Sequence, residues 1–581
     1  MKIKLATCNA GFATPVVTKD GLGQPVGVGW LLWVVGASLP WLLPTHSDPW
    51  TTFYSELLMA AMLLALLGWA IIASRLRWPV SRLVLMLVAI SAIPLGHSTF
   101  GLLLFPGEAV LQVICMLAFA ASVSLGQWGQ LCQRHKLMDS LFASLVVAAL
   151  FSTGLALYQW LALGGWGVLL PSIDVGGLRA VANVGQANNL ATLLVWGMVG
   201  LWWGGSRQAI GVGIAAFGAA FLLLGLVLTG SRTGSLQAIF LGVMVVIFGR
   251  SEFLSCRLLV VAILGGWLAF LSVAVPVVGE FLFGAISRDI LSVGIRPVFW
   301  TMALEALAMH PITGYGWNQV VTAHVLISDR YSGLGEVMGQ THNFFLDMLL
   351  WSGVLLGGGI IVGVLWWWWR QIRRATKETH WIILAALGVF LIHAMLELPH
   401  LYAFFYLPVG IMVGVASAYF PMKIAVLLPR GCVVFVGVVF AVLLGLMFRD
   451  YRLIEIDLTA HRMVAARIAG AETPKSPKIL VLGFLQEALE LLRTDPHRDI
   501  GDEDLERVRR AVQRYPAVGG LFRYAQSAAL NNRPEEARWA LQVICNLRSA
   551  KACAAVISDW RTLARAGNPE MNVVSLPLSN K

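Results

Sequence analysis

Charge is scarce in this sequence. Asp, Glu, Lys and Arg make up 13% of its 581 residues, about half the roughly 25% usual in soluble globular chains. So low a share over such a length excludes an ordinary water-soluble enzyme, a disordered chain and a collagen. Cysteine is sparse as well. The seven residues are spread along the chain with no CxxC and no Cys–His grouping, which excludes a zinc site and a disulfide-stapled secreted domain. Gly-rich dinucleotide and P-loop fingerprints are missing, and the charge-poor connecting loops hold no Asp-x-Asp pair that would bind a metal. Asp502-Glu503-Asp504 reads as a solvated helix start.

Apolar residues take the place of the missing charge, at 58% of the chain with mean hydropathy +0.75. A helix needs about 20 mostly apolar residues to cross a bilayer. Candidate runs lie at 27–44, 53–74, 83–104, 108–127, 138–163, 188–203, 210–228, 235–249, 258–277, 343–366, 381–396, 404–420 and 431–447. The expected fold is therefore an all-α polytopic membrane protein with about 12–13 transmembrane helices. The first run follows a 26-residue polar tail and leads into a second span, so it does not read as a cleaved signal.

The connecting segments alternate in charge. One set holds 17 basic residues: Lys2, Lys4, Lys19, Arg75, Arg77, Arg82, Arg134, Lys136, Arg207, Arg250, Arg257, Arg370, Arg373, Arg374, Lys377, Lys423 and Arg430. The other holds five: Arg179, Arg232, Arg288, Arg296 and Arg330. The positive-inside rule makes the first set cytoplasmic, and the Trp366–Trp369 run before Arg370 fits an interfacial aromatic belt. The expected order is a cytoplasmic tail over 1–26, a transmembrane domain over 27–448 with a large external loop at 278–342, and an external helical domain over 449–581. The net charge of +11 then follows from topology. The 20 basic residues of the last segment sit beside 16 acidic ones, so no basic stripe points to nucleic acid. Around Tyr524–Ala540 the last segment reads as helix, Asn-Asn-Arg-Pro turn, helix, either a tetratricopeptide-like unit or a generic hairpin. Cys545 and Cys553 lie there, bridged or as two separate thiols.

Unusual polar residues collect on the external side. Arg232 lies in the short turn Thr229-Gly230-Ser231-Arg232-Thr233-Gly234, either snorkelling to headgroups or held by a tight backbone. Arg296 opens an apolar stretch of the long loop. Arg179 precedes Gly185-Gln186-Ala187-Asn188-Asn189, where Gln186 and Asn189 are amides that cap a helix or bind a sugar or phosphate. His342 and Asn343 close the loop, and His393, Glu397 and His400 surround a later external turn. His46 and Glu56 border the first one. Ionisable groups at membrane depth usually mark a site. Arginine forks match phosphate oxygens, and histidine is suited to accept a hydroxyl proton near neutrality. This set fits an anionic, lipid-linked and already activated donor, used without metal or cofactor.

The residues resemble the O-antigen ligase/polymerase superfamily, and within it the PglL-type bacterial protein O-oligosaccharyltransferases. The likeness rests on Pro44-Thr45-His46 with Phe53 and Glu56, on Gly185-Gln186 with Asn189-Leu190-Ala191, and on Ser231-Arg232-Thr233-Gly234. It continues through Arg296 with Trp300, Gly314-Tyr315-Gly316-Trp317 and Thr341-His342-Asn343-Phe344, and ends on His393, Glu397, Pro399 and Tyr402. The resemblance implies a GT-C-like architecture in the bacterial inner membrane with its active site facing the periplasm. It implies inverting transfer of a preassembled glycan from undecaprenyl pyrophosphate to a hydroxyl of a pilin-like protein. His342 would be the base, and Arg232 and Arg296 would hold the pyrophosphate. Arg179, Gln186, Asn189, Asn343, Glu397 and His400 would bind substrate. Lipid A–core or a second glycan as acceptor remain alternatives, as does a transporter of the lipid-linked glycan.

Overall fold

A computed structural model describes residues 28–74, 77–164, 176–249, 256–284, 294–331, 333–468, 470, 472 and 475–577. The tail 1–26 and residues 285–293 of the long loop lie outside the described residues. Apolar runs form helices because a backbone without water must satisfy its N–H and C=O groups internally. In chain order these are α1 (Val28–Ser38), α2 (Phe53–Ala73), α3 (Arg82–Ile90), α4 (Ile93–Thr99), α5 (Pro106–Cys132), α6 (Lys136–Trp160), α7 (Ala187–Ser206) and α8 (Val212–Leu228). There follow α9 (Arg232–Phe248), α10 (Arg257–Phe283), α11 (Arg296–Met309), α12 (Val320–Ile327), α13 (Phe344–Arg374), α14 (Glu378–Ala394), α15 (Ala403–Ala418) and α16 (Arg430–Ala465). The C-terminal part holds α17 (Gly483–Arg493), α18 (Asp502–Arg514), α19 (Val518–Leu530), α20 (Pro534–Leu547), α21 (Ala550–Arg565) and α22 (Pro569–Asn572).

The chain is an all-α polytopic membrane protein. Among the described residues seven helical segments are long and apolar enough to cross a bilayer, and five shorter apolar helices accompany them. Each expected run coincides with helix. The 83–104 run is broken at Ser91-Ala92, because Pro94 sits in the first turn of α4, where its missing N–H costs nothing. The run opening at 343 is broken inside α13 at Gly353, whose φ of +70° and ψ of 179° are not helical.

The chain divides into two units. The first comprises residues 1–90, 115–292 and 365–445. Its centre is α7, buried on all sides, with Trp196, Leu193 and Leu194 fully enclosed; α6, α8, α9 and α14 pack around it. Helix α10, by contrast, leaves Leu258, Leu259, Ile263 and Phe270 exposed, as a lipid-facing helix would. Small residues set the closest approaches. A Cβ on Gly126 would fall on the Ile411 carbonyl, and one on Gly414 on that of Val123.

Alternate loops of this unit collect at opposite ends. At one end the loops of the basic-rich set meet. Strands β1 (Trp78–Ser81) and β2 (Ile424–Leu428) pair antiparallel, Trp78 opposite Leu428. Asp139 accepts from Trp203 Nε1 at 2.8 Å, and Glu378 accepts from Trp202 Nε1 at 2.9 Å. At the other end the basic-poor loops meet through Asn183, Arg179, Asn188 and Glu397. This is the separation that alternating charge predicts for successive spans.

The second unit comprises residues 91–114, 293–364 and 446–581. Its core joins Leu505, Val512, Leu521, Tyr524, Ala528, Ala537, Leu541 and Trp560 with Phe105, Val321 and Val325. The long loop thus folds onto the C-terminal helices. Helices α19 and α20 form the expected hairpin around Asn531, whose amide donates to the carbonyls of His497 and Ser527. Cys545 and Cys553 are bonded, with Cα atoms 4.6 Å apart. The Asn546 carbonyl, beside that bridge, accepts from Gly333 N at 2.9 Å. Glu108 Oε1 accepts from Arg514 Nε at 2.6 Å, and Oε2 accepts from Gln319.

The glycine contacts make a direct test. Replacing Gly414 by Leu should cost about 1–3 kcal/mol of stability, since the added side chain must displace backbone. Gly265→Ala, with open space around its Cβ, should leave the thermal midpoint of the detergent-solubilised protein within a degree or two, by the rule of about ±0.5 kcal/mol for changes away from packed features.

Candidate functional site

In the first unit the site is built around Asn188, in the first turn of α7. Its Nδ2 donates to Glu397 Oε1 at 2.7 Å. Its Oδ1 accepts from Ser231 Oγ at 2.7 Å and from Arg179 Nη2 at 3.2 Å. Gln186 Nε2 reaches Glu397 Oε2 at 3.5 Å. Arg179 Nε donates to the Thr229 carbonyl at 2.9 Å. One amide therefore links the Arg179 loop, which leads into its own helix, with the loops of Ser231 and Glu397.

The turn before α9 explains its own sequence. Gly230 has φ +55°, the left-handed conformation that glycine takes without penalty. The Arg179 stem lies against it, 3.2 Å from where a Cβ would be. Ser231 caps α9, its Oγ accepting from Gly234 N at 3.0 Å. Gly234 lets α9 approach α7, since a Cβ there would meet that of Ala191 at 2.7 Å. Arg232 is the first residue of α9 and is exposed, beside the partial positive charge of a helix N-terminus. Exposed cation and helix terminus together suit an anion such as a phosphate.

A second polar layer lies below. Thr192, one turn along α7 from Asn188, accepts from Gln237 Nε2 at 2.9 Å and pairs with His393 Nδ1 at 2.8 Å. Gln237 also donates to the Val389 carbonyl at 2.8 Å. All three side chains are fully buried, and their bonds to one another offset part of the cost of burying polar groups in a dry interior. His393 and Glu397, which border the same external turn, thus serve different layers. Asn189 turns into the bundle and is buried, while His400 sits half-buried on the turn Pro399–Leu401. His46 and Glu56 act as fasteners. His46 Nε2 lies 3.0 Å from the Asn183 carbonyl, and Glu56 accepts from Trp50 Nε1, Thr52 Oγ1 and Ala403 N at 2.8, 2.5 and 3.3 Å.

In the second unit the long loop ends on a strained histidine. His342 has φ +56°, a conformation that costs a non-glycine residue about 1–2 kcal/mol. Both neighbours are pinned. The buried Asp347 accepts from Thr341 N at 2.9 Å and from Thr341 Oγ1 at 2.8 Å. Asn343 Oδ1 accepts from Phe345 N and Leu346 N at 3.0 and 3.2 Å, capping α13. Hydrogen bonds contribute about 0.5–1.5 kcal/mol each, so these four together offset the strain. The His342 ring stacks on Phe299 of α11, centroids 6.4 Å apart, and Trp300 Nε1 donates to the Thr341 carbonyl at 3.0 Å. Arg296, three and four residues before these aromatics, shares their helix face. The structure therefore brings Arg296 and His342 to one end of this unit.

The Gly314-Tyr315-Gly316-Trp317 motif has a structural role. Tyr315 N and Gly316 N donate to the carbonyls of Leu350 and Trp351, and Val354 N donates to that of Pro311. These bonds satisfy the groups released by the break at Gly353. His324 of α12 accepts from Met338 N through Nδ1 at 2.8 Å, fastening the segment that leads to His342. Burial holds the His324 imidazole neutral, its pKa lowered to about 4. Among the described residues no group of three His, Cys, Asp or Glu side chains converges as a metal would need.

Sequence reasoning passed over Asn188, Asp347 and Gly353. Asn188 stood beside Asn189 in the quoted motif, and adjacent helical residues differ by 100° in direction, so sequence alone could not choose between them.

Comparison with known proteins follows the same residues. The O-antigen ligase family matches residues 217–361, which include Arg232, Arg296 and His342. A family described as the C-terminal part of a virulence factor membrane-bound polymerase matches residues 381–560, from Glu397 to the C-terminal hairpin. A general O-oligosaccharyltransferase of Acinetobacter baylyi is 30% identical over 533 residues, covering 87% of this chain and 90% of that protein. A ComP-specific O-oligosaccharyltransferase of the same organism is 24% identical over 244 residues, 41% of this chain and 44% of that one.

The left-handed backbone at 342 separates stability from chemistry. His342→Gly should fold more stably than His342→Ala by about 1 kcal/mol, since only glycine relieves the strain. Paired thermal melts of the two purified variants would measure the difference.

Proposed function

Because the chain belongs to the O-antigen ligase superfamily and is a glycosyltransferase of the oligosaccharyltransferase type, we propose that it transfers a preassembled oligosaccharide from undecaprenyl pyrophosphate to Ser or Thr hydroxyls of a pilin-like protein. The observation that carries this reading is the likeness over 87% of the chain to a general O-oligosaccharyltransferase. The acceptor hydroxyl gives its proton to His342 as its oxygen attacks the anomeric carbon. The bond from that carbon to the pyrophosphate breaks, the electron pair leaves with the phosphate, and the configuration inverts. Arg232 and Arg296 each bind pyrophosphate oxygens and stabilise the charge that grows on them. Arg179, Gln186, Asn343, Glu397 and His400 are assigned to substrate binding, Arg179 and Glu397 being oriented by Asn188, while Asn189, buried in the bundle, stands behind them. No metal or cofactor enters this scheme.

The reading puts the enzyme in the bacterial inner membrane with its site facing the periplasm. The separation of basic-rich from basic-poor loops supports that orientation. So does the Cys545–Cys553 bridge, which belongs in an oxidising compartment. Residues 1–26 are then a cytoplasmic tail, 27–448 the transmembrane ligase domain and 449–581 a periplasmic helical domain. The O-antigen ligase match favours a second acceptor, lipid A–core, on the same chemistry.

The test is co-expression with a pilin-type acceptor and a complete lipid A–core in cells making a known lipid-linked glycan. Intact mass should reveal a glycan-sized shift of the pilin. His342→Ala should lower its rate about 10²–10⁴-fold, the usual contribution of a general base, and Arg232→Ala and Arg296→Ala should each lower it at unchanged protein level. Unmodified pilin with newly capped lipopolysaccharide would assign the enzyme to lipid A–core.

A further inference from the structure

The candidate base sits on a backbone that would not hold itself, and one side chain takes two of the bonds that fasten the residue before it. Residue 342 is histidine in a left-handed conformation. A single relaxation of its φ and ψ would swing the imidazole away from Phe299, on which it now stacks at 6.4 Å. What prevents this is the attachment of the preceding residue. Thr341 gives both its N–H and its hydroxyl to the same oxygen, Asp347 Oδ1, at 2.9 and 2.8 Å. The Thr341 hydroxyl also accepts from Asn343 N at 3.2 Å and lies 3.0 Å from the Asn343 carbonyl, so the bond network closes around residue 342 from both sides. Asp347 and Thr341 are completely buried, whereas His342 is half-exposed. Asp347 lies in the first turn of α13, on an element rather than a loop, and its backbone N–H is bonded to the Asn343 carbonyl.

We propose that Asp347 is a positioning residue for transfer. Acting through Thr341, it holds the left-handed backbone that aims the His342 imidazole, and it does not touch substrate. This rests on the assignment of His342 as the base. A misplacement of about 1 Å in an attacking geometry costs on the order of a hundredfold in rate, so the loss should fall on kcat and spare donor binding.

The test uses the full-length enzyme in detergent or nanodiscs with purified lipid-linked glycan and acceptor protein. Asp347→Ala should lower kcat by about ten- to a hundredfold. The stoichiometry and Kd of donor binding, measured directly, should stay at wild-type values. Asp347→Asn keeps an acceptor oxygen at the same place and should recover most of kcat. Should Asp347→Ala fail to fold, Thr341→Val, which removes only the hydroxyl, should lower kcat in the same way and Thr341→Ser should restore it. In a His342→Ala background, Asp347→Ala or Thr341→Val should change the residual rate less than twofold, because the group they aim is gone.

Full kcat in both Asp347→Ala and Thr341→Val would overturn the inference, as would an equal fold-loss with and without His342. A fall in donor-binding stoichiometry that accounts for the lost activity would make Asp347 merely structural and overturn it too. A fully active His342→Ala would instead remove the base assignment beneath it. The two failures are therefore distinguishable by the single variant.

Discussion

A chain that lives in a bilayer has no water with which to settle an unpaired backbone or buried polar group, and each departure from helix must find its partners elsewhere in the chain. The break at Gly353 makes this concrete. It releases carbonyls at Leu350 and Trp351 and the N–H of Val354, and the segment Pro311–Gly316 takes up all three. The long loop is consequently fastened to α13 through its main chain. That helix begins with the Asn343 cap and carries Asp347, so the groups that hold the loop and the groups that hold His342 sit on one element.

The same constraint orders the first unit. Asn188, Glu397, Arg179 and Ser231 share hydrogen bonds at one end of the bundle, and Thr192, Gln237 and His393 share them a turn below. An arginine whose Nε and Nη2 are taken by a carbonyl and an amide is fixed in direction, as Arg179 is. Arg232 has its backbone held by the Ser231 cap and the Gly230 turn while its side chain stands exposed at a helix terminus. Of the two arginines of neighbouring loops, Arg179 is part-buried against its partners and Arg232 is exposed.

Much of this was legible because hydropathy is a bulk property. All thirteen apolar runs fall on helix, and charge counting sorted the loops that the structure gathers at opposite ends of the first unit. What stayed hidden depends on direction or on distant pairing. Asn188 and Asn189 are indistinguishable by type, yet one faces the loops and the other the bundle. Asp347, in Phe-Phe-Leu-Asp, reads as a stray acid at the start of a span until Thr341 is seen bonded to it. Gly353 is one of 58 glycines in a fold where small residues serve packing everywhere, so its φ could not be read from its neighbours. Ser91-Ala92 is the contrary case, since Pro94 announces that break in the sequence. The association of 91–114 and 293–364 with the C-terminal helices has no local signature.

The Glu108–Arg514 pair has a consequence for how the protein is made. Its partners stand 406 residues apart in the chain, and synthesis proceeds at about 5–20 residues per second. The carboxylate is therefore inserted with α5 and waits on the order of 20–80 s for its guanidinium to be translated. During that interval Gln319 arrives before Arg514 does, and the long loop is in place before the helices that complete its core. Assembly of this unit therefore waits for α18, and a ribosome that stops short of the C-terminal helices leaves the preceding spans inserted and the long loop unfinished.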